Sequence, residues 1–143
     1  SRTAVRAERL SVEFDFPQHG WLPIHLAYGG DRLDLWASYV LFDTLYEIVQ
    51  ALVAQLRGGQ GRARVFLEPE RRELHFGPDG LRSGDFVAQV EPRTVARRFL
   101  MALDRLEQQA TERTEEWSRH WRAFPDLTAL RAVYRGAAAT CST

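Results

Sequence analysis

The residues best suited to chemistry lie on one predicted hairpin. If its loop has two residues, His25 stands directly opposite Asp34, whereas a longer loop would place His25 opposite Trp36. A carboxylate beside an imidazole can orient a general base, and Ser38 on the same predicted face is the nearest nucleophile. Trp21 shares that face, and tryptophan is typical of hot spots in protein interfaces. Three interpretations are open: a face packed under the C-terminal helix, an exposed partner-binding surface, or a catalytic dyad.

A second cluster lies near the C-terminus. Trp117 and Trp121 are four residues apart, so on a helix they share one face. Such a pair is either a core anchor or the lining of a groove for a partner. Together the two clusters form our candidate partner-binding set: Trp21, His25, Asp34, Trp36, Ser38, Trp117 and Trp121.

The composition excludes several enzyme classes. All 19 basic residues are arginine, and the chain contains neither lysine nor asparagine. A Schiff-base lysine, a P-loop lysine and a Cys-His-Asn triad are therefore absent. The four histidines form no HExxH motif or close pair, and Cys141 is the only cysteine. We therefore expect no catalytic residue, no metal and no cofactor.

Charge and cysteine usage bear on partners and on compartment. The net charge is zero, and residues 1–61 hold 5 arginines and 7 acidic residues, so neither half is strongly basic. A basic footprint for nucleic acid is missing, and no apolar run approaches membrane-spanning length. One cysteine allows no internal disulfide, which favours the cytoplasm. The lack of lysine and asparagine, with their AT-rich codons, suggests a GC-rich bacterial genome.

The spacing of apolar residues predicts six strands and three helices. Apolar side chains alternate in the strands and recur every three or four residues in the helices. Short turns between strands imply antiparallel pairing. The predicted strands are residues 10–16, 21–28, 32–40, 63–68, 73–76 and 85–90. The predicted helices are residues 44–57, residues 92–124 (one helix, or two with a break near 109–114) and residues 125–136.

This order, βββα-βββα-α, predicts an α+β fold in which helices cover one face of an antiparallel sheet. Residues 1–136 would form a single domain, and residues 137–143 a flexible C-terminal tail.

The stretch from Trp21 through Gly29 and Ser38-Tyr39-Val40 to Leu45 resembles small bacterial α+β domains of unassigned function. Some proteins of this shape act as immunity proteins of toxin systems, and the resemblance implies no particular functional residue. Our leading hypothesis is therefore a non-enzymatic bacterial domain, immunity-type or adaptor, that binds a partner protein. The alternative is a small enzyme or ligand-binding domain with a pocket at His25, Asp34 and Ser38. A third hypothesis is a homodimer joined through residues 92–124.

Overall fold

A computed structural model describes the chain from residue 9 to residue 142, with side chains from residue 9 to residue 136. Its seven strands form two antiparallel sheets in which each strand pairs with its neighbour along the chain. The first sheet consists of β1 (Ser11–Phe14), β2 (Trp21–Tyr28) and β3 (Asp31–Ser38). The second consists of β4 (Gly61–Phe66), β5 (Arg71–Gly77), β6 (Gly80–Ser83) and β7 (Phe86–Ala88).

Four helices complete the described fold. They are α1 (Thr44–Leu56), α2 (Pro92–Glu112), α3 (Thr114–His120) and α4 (Thr128–Ser142). The predicted class, a single α+β domain with antiparallel strands, is confirmed. The strands divide into two sheets, however, where the sequence pattern suggested one.

The seventh strand is β6, which the sequence analysis treated as part of a turn. Gly80 begins this strand and Gly84 follows it, and both look like loop residues. Leu81 and Ser83 between them are buried, however. Gly80 has a φ of +128°, and a Cβ on it would lie 2.1 Å from the carbonyl oxygen of Ala88. Only glycine permits this approach of two backbones. The apparent loop signal is therefore a packing requirement of the sheet.

The predicted long helix is two helices. Arg113 leaves the helical region, with φ −125° and ψ 54°, and separates α2 from α3 inside the predicted break. Trp121 is extended, so α3 ends before residue 124. The last helix begins at Thr128, whose N–H donates to Asp126 Oδ1 at 2.9 Å. The flexible tail was expected at residues 137–143. Residues 137–142 form the end of α4, where side chains are not described, and Thr143 lies outside the described residues. The flexibility of this segment stays a prediction.

One aromatic residue of α2 joins the two sheets. The ring of Phe99 lies 6.3 Å from that of Phe14 on β1 and 5.4 Å from that of Phe76 on β5. All three side chains are buried. Because offset and edge-on aromatic contacts add to ordinary apolar burial, this trio helps to hold both sheets around one core.

Candidate functional site

The first sheet has an outer face that no described helix covers. Its hairpin has the two-residue loop, since Tyr28 pairs with Asp31 and His25 with Asp34. Strict alternation then buries Leu22, Ile24 and other apolar residues on the inner side. The helix α4 packs on α1 and α2. We define the outer face by Glu13, Asp15, Trp21, Pro23, His25, Asp34 and Trp36.

His25 is held between two carboxylates. Its Nδ1 lies 2.7 Å from Asp34 Oδ1, and its Nε2 lies 2.9 Å from Asp15 Oδ2. A neutral imidazole has only one N–H, so two such bonds require the protonated ring. Partial burial lowers the pKa of His25, but the hydrogen bonds and charges of the two carboxylates outweigh it and raise the pKa overall. While the ring is protonated, both nitrogens donate and neither can accept a proton from a nucleophile.

Asp34 is stabilised in its charged form. The hydrogen bond from His25, followed by that from Arg32 Nη2 at 3.2 Å, lowers the pKa of the Asp34 carboxyl. The carboxylate, the imidazolium and the guanidinium therefore form a small ionic network on the solvent side of the sheet. Its geometry ties together the end of β1 and the two strands of the hairpin.

Ser38 does not belong to this network. Its side chain is only 1% exposed, and its hydroxyl donates to Glu68 Oε2 at 2.5 Å. Ser38 pairs with Trp21, which is four residues from His25 on the same strand. Four residues of a strand span about 13 Å. The catalytic arrangement considered for His25, Asp34 and Ser38 is therefore not assembled, and Ser38 lies outside any exposed surface.

Trp36 is the most prominent side chain of the outer face. It is 52% exposed, and its ring meets the His25 ring edge-on at a centroid distance of 6.1 Å and an angle of 89°. Together with Trp21, Asp34 and Leu67 it lines a shallow depression. Trp21 is half-buried, so the depression has one recessed and one projecting indole.

An apolar turn continues this surface beyond β3. Tyr39, Val40 and Leu41 are 49%, 46% and 50% exposed. The N–H of Phe42 donates to the carbonyl of Val40 at 3.0 Å, and Leu41 between them has a φ of +79°. This is a γ-turn of the rare left-handed kind, which is strained for a residue with a side chain. The turn holds three large apolar side chains in solvent.

The base of the turn is fixed by two backbone contacts. The N–H of Tyr39 donates to the carbonyl of Gly20, and its own carbonyl accepts from Arg122 Nε, both at 2.9 Å. The phenol ring also covers Gly20, where a Cβ would lie 2.7 Å from a ring carbon. We call the set of six exposed or half-buried apolar residues here the aromatic surface: Trp21, Trp36, Tyr39, Val40, Leu41 and Leu67.

The C-terminal tryptophans lie elsewhere. Trp117 and Trp121 are each 4% exposed. Trp117 packs edge-on against Phe16 at 5.7 Å, and its Nε1–H donates to the carbonyl of Arg122 at 2.6 Å. Both were in the candidate partner-binding set, but they are part of the core. The reason is that Trp117 on α3 and Trp121 directly after it both face inward and join the apolar core.

Three contributors to the site escaped the sequence analysis: Asp15, Leu67 and the turn at residues 39–41. Asp15 follows β1 and faces outward by the same alternation as Glu13, so the strand pattern carried a signal for it. Leu67 comes from the loop after β4, and only the packing of the two sheets brings it to Trp36. The turn resembled the end of a strand.

Other kinds of site find no support in the described residues. Within residues 9–142, no three histidine, cysteine or acidic side chains are grouped so that they could bind a metal ion. Of the helices in that range, none is long and apolar enough to cross a membrane. Comparison with family models, curated proteins and solved structures finds no match for the chain.

Proposed function

We propose that this chain is a non-enzymatic protein-binding domain and that the aromatic surface is where its partner docks. The observation that carries the proposal is the half exposure of Trp36, five residues before the strained turn at Leu41. Large apolar side chains held in water stand to gain free energy on being covered, and tryptophan is among the commonest hot-spot residues. Strain that displays an apolar side chain is of the kind that clusters at functional sites.

The border of the surface suggests the partner's chemistry. Asp15 and Asp34 keep about half and a third of their side-chain surface in solvent, at 55% and 36%. A partner segment with apolar side chains and one or two basic ones would cover Trp36 and meet these carboxylates. An arginine or lysine of the partner could also lie on the exposed indole face.

We further infer a bacterial and cytoplasmic setting, with an immunity-type or adaptor role. Support comes from the arginine-only composition, the single cysteine and the resemblance of residues 21–45 to small bacterial domains. A toxin encoded beside this gene is the first partner to examine. A homodimer through residues 92–124, which span α2 and α3, stays a hypothesis, which light scattering at several concentrations checks.

The test is co-expression with the products of neighbouring genes, followed by affinity measurement. We expect Trp36→Ala to weaken a partner by about 30-fold or more, equivalent to about 2 kcal/mol, without lowering Tm. Val87→Ser is the matched control, because Val87 is 43% exposed on the other sheet. Unchanged affinity in Trp36→Ala, or an equal loss in Val87→Ser, would contradict the proposal.

A further inference from the structure

A cleft between β1 and α2 presents three arginines. It lies along the edge of the first sheet, and one wall is β1 with the residues just before it. The other wall is a helix face, on which Arg98 and Arg105 stand two turns apart, at a spacing of about 10 Å. Met101, between them, is 60% exposed. Residues that line the cleft include Arg9, Val12, Glu13, Arg98, Met101 and Arg105.

The described lining of this cleft carries three arginines and one acidic residue, Glu13. Five arginines elsewhere in the described chain form ion pairs, namely Arg32, Arg62, Arg64, Arg113 and Arg131. Among residues 9–136, Arg9, Arg98 and Arg105 form none. Nε of Arg98 is also buried without a hydrogen-bond partner in that part of the chain. Guanidinium groups that form no ion pair are suited to a ligand that brings carboxylates.

The backbone of β1 offers the second half of a recognition site. The N–H of Asp15 donates to the carbonyl of Pro23, so Asp15 forms a hydrogen-bonded pair with β2. In an antiparallel ladder such pairs alternate, which turns the backbone of Glu13 toward β2 and that of Val12 and Phe14 away from it. β1 is the edge strand. The outward N–H and C=O groups of Val12 and Phe14 have no partner among residues 9–142.

We propose that this cleft binds an extended acidic segment of a partner protein as an added strand on β1. The open backbone groups of Val12 and Phe14 would pair with the segment, as in other cases of strand addition. Alternate side chains of the segment would point toward α2. There Arg98 and Arg105 would donate hydrogen bonds to carboxylates in bidentate geometry. The site is separate from the aromatic surface and requires the opposite charge in its ligand.

The chain's own first residues do not match the cleft in charge. Residues 1–8 contain Arg2, Arg6 and one acidic residue, Glu8. A segment with more positive than negative charge is unfavourable in a cleft lined by three arginines and one glutamate. An acidic segment of another protein is therefore the occupant to which the charge distribution points.

The experiment uses a fluorescent octapeptide that alternates glutamate and threonine, with fluorescence anisotropy as the readout. We expect saturable binding, no binding of the lysine-threonine counterpart, and a loss of at least tenfold in the double variant Arg98→Gln/Arg105→Gln. Arg119→Gln is the matched control, because Arg119 is an exposed arginine on α3. Trp36→Ala should bind the peptide normally, so failure here and failure of the proposed function are distinguishable.

Two peptides N-methylated on the two alternate sets of residues test the backbone pairing. One of them should lose binding, because the edge of an added strand that faces β1 cannot tolerate methyl groups on its N–H donors. If both bind like the parent, or if a single-stranded oligonucleotide of equal charge binds as tightly, the cleft is a general anion site and the proposal is wrong. Absence of peptide binding at millimolar concentration would overturn it as well.

Discussion

His25 is a charged crosslink on the solvent side of the first sheet. Its two ring nitrogens contact carboxylates from the end of β1 and from β3, while its own backbone lies in β2. The protonated ring therefore connects all three strands, and it meets the exposed indole of Trp36 edge-on. His25 therefore supports the aromatic surface, and its protonated ring does not act as a general base.

The raised pKa of His25 predicts a pH dependence of stability. A group whose pKa is higher in the folded chain contributes fully below its unfolded value and loses that contribution as the pH rises through the folded value. The unfolded value is 6.5, so we expect the free energy of unfolding to fall as the pH rises from about 6.5 through the raised pKa. Denaturant unfolding at several pH values measures this.

His25→Gln is the comparison for that experiment. The variant keeps a polar side chain but cannot carry charge, so the difference in stability between it and the unmodified chain should shrink as the pH rises. His19, His75 and His120 are present in both chains and cancel in the difference. A difference that stays constant from pH 5 to pH 9 would show that the ionic network does not contribute.

The contact between α1 and β4 depends on the absence of one side chain. Gly61 opens β4 directly beneath Ala51 of the helix, and a Cβ on it would lie 2.5 Å from the Cα of Ala51. Gly61 belongs to the stretch Gly58-Gly59-Gln60-Gly61, which has the appearance of a helix cap and linker. Gly61 instead sets how closely helix and sheet approach, which in turn determines the position of β4.

We expect Gly61→Ala to lower the free energy of unfolding by about 1–3 kcal/mol, the usual range for overpacking against backbone atoms that cannot move aside. Gly30→Ala is the control, since a Cβ there would meet nothing within 4 Å and Gly30 does not need a positive φ. Chemical denaturation of both variants is sufficient. Equal stability of the two would mean that the helix shifts to accept the methyl group.

The whole molecule separates its four tryptophans into two kinds. Trp117 and Trp121 fill the core beside α3, whereas Trp36 is half exposed and Trp21 borders it. The environment of Trp117 includes the rings of Phe16 and Phe124, the latter at 5.4 Å. This residue thus holds the segment that follows α3 against the loop that follows β1.

Trp117→Ala should therefore cost about 3–5 kcal/mol of stability, the range for removing a buried aromatic side chain. Trp36→Ala should change the stability by no more than about 0.5 kcal/mol, as is usual for an exposed position. Denaturant midpoints measured at one pH compare the two. If Trp36→Ala were the more damaging substitution, the exposure assigned to the outer face would be wrong.

The parts of the fold that were predictable depend on local pattern. The hairpin of β2 and β3 follows from alternation around Gly29-Gly30. The helix α1 follows from its apolar stripe and from the N-cap at Asp43. The side chain of Asp43 accepts a hydrogen bond from the N–H of Tyr46. β6 was missed because Gly80, at its start, resembles a turn residue, whereas its role is the close approach to Ala88 of β7. The division into two sheets was missed because no local pattern signals it.

The sequence by itself determined the class of fold and the inward face of the strands that it identified, because these depend on periods of 2 and 3.6 residues. It reduced the residue opposite His25 to Asp34 or Trp36, and the structure shows Asp34. Only the tertiary structure decided that Trp36 is exposed while Trp117 is buried, that Asp15 completes the bracket around His25, and that Ser38 is covered by Glu68. Period shows which side of an element is apolar. What lies against that side is set by packing between segments far apart in the chain.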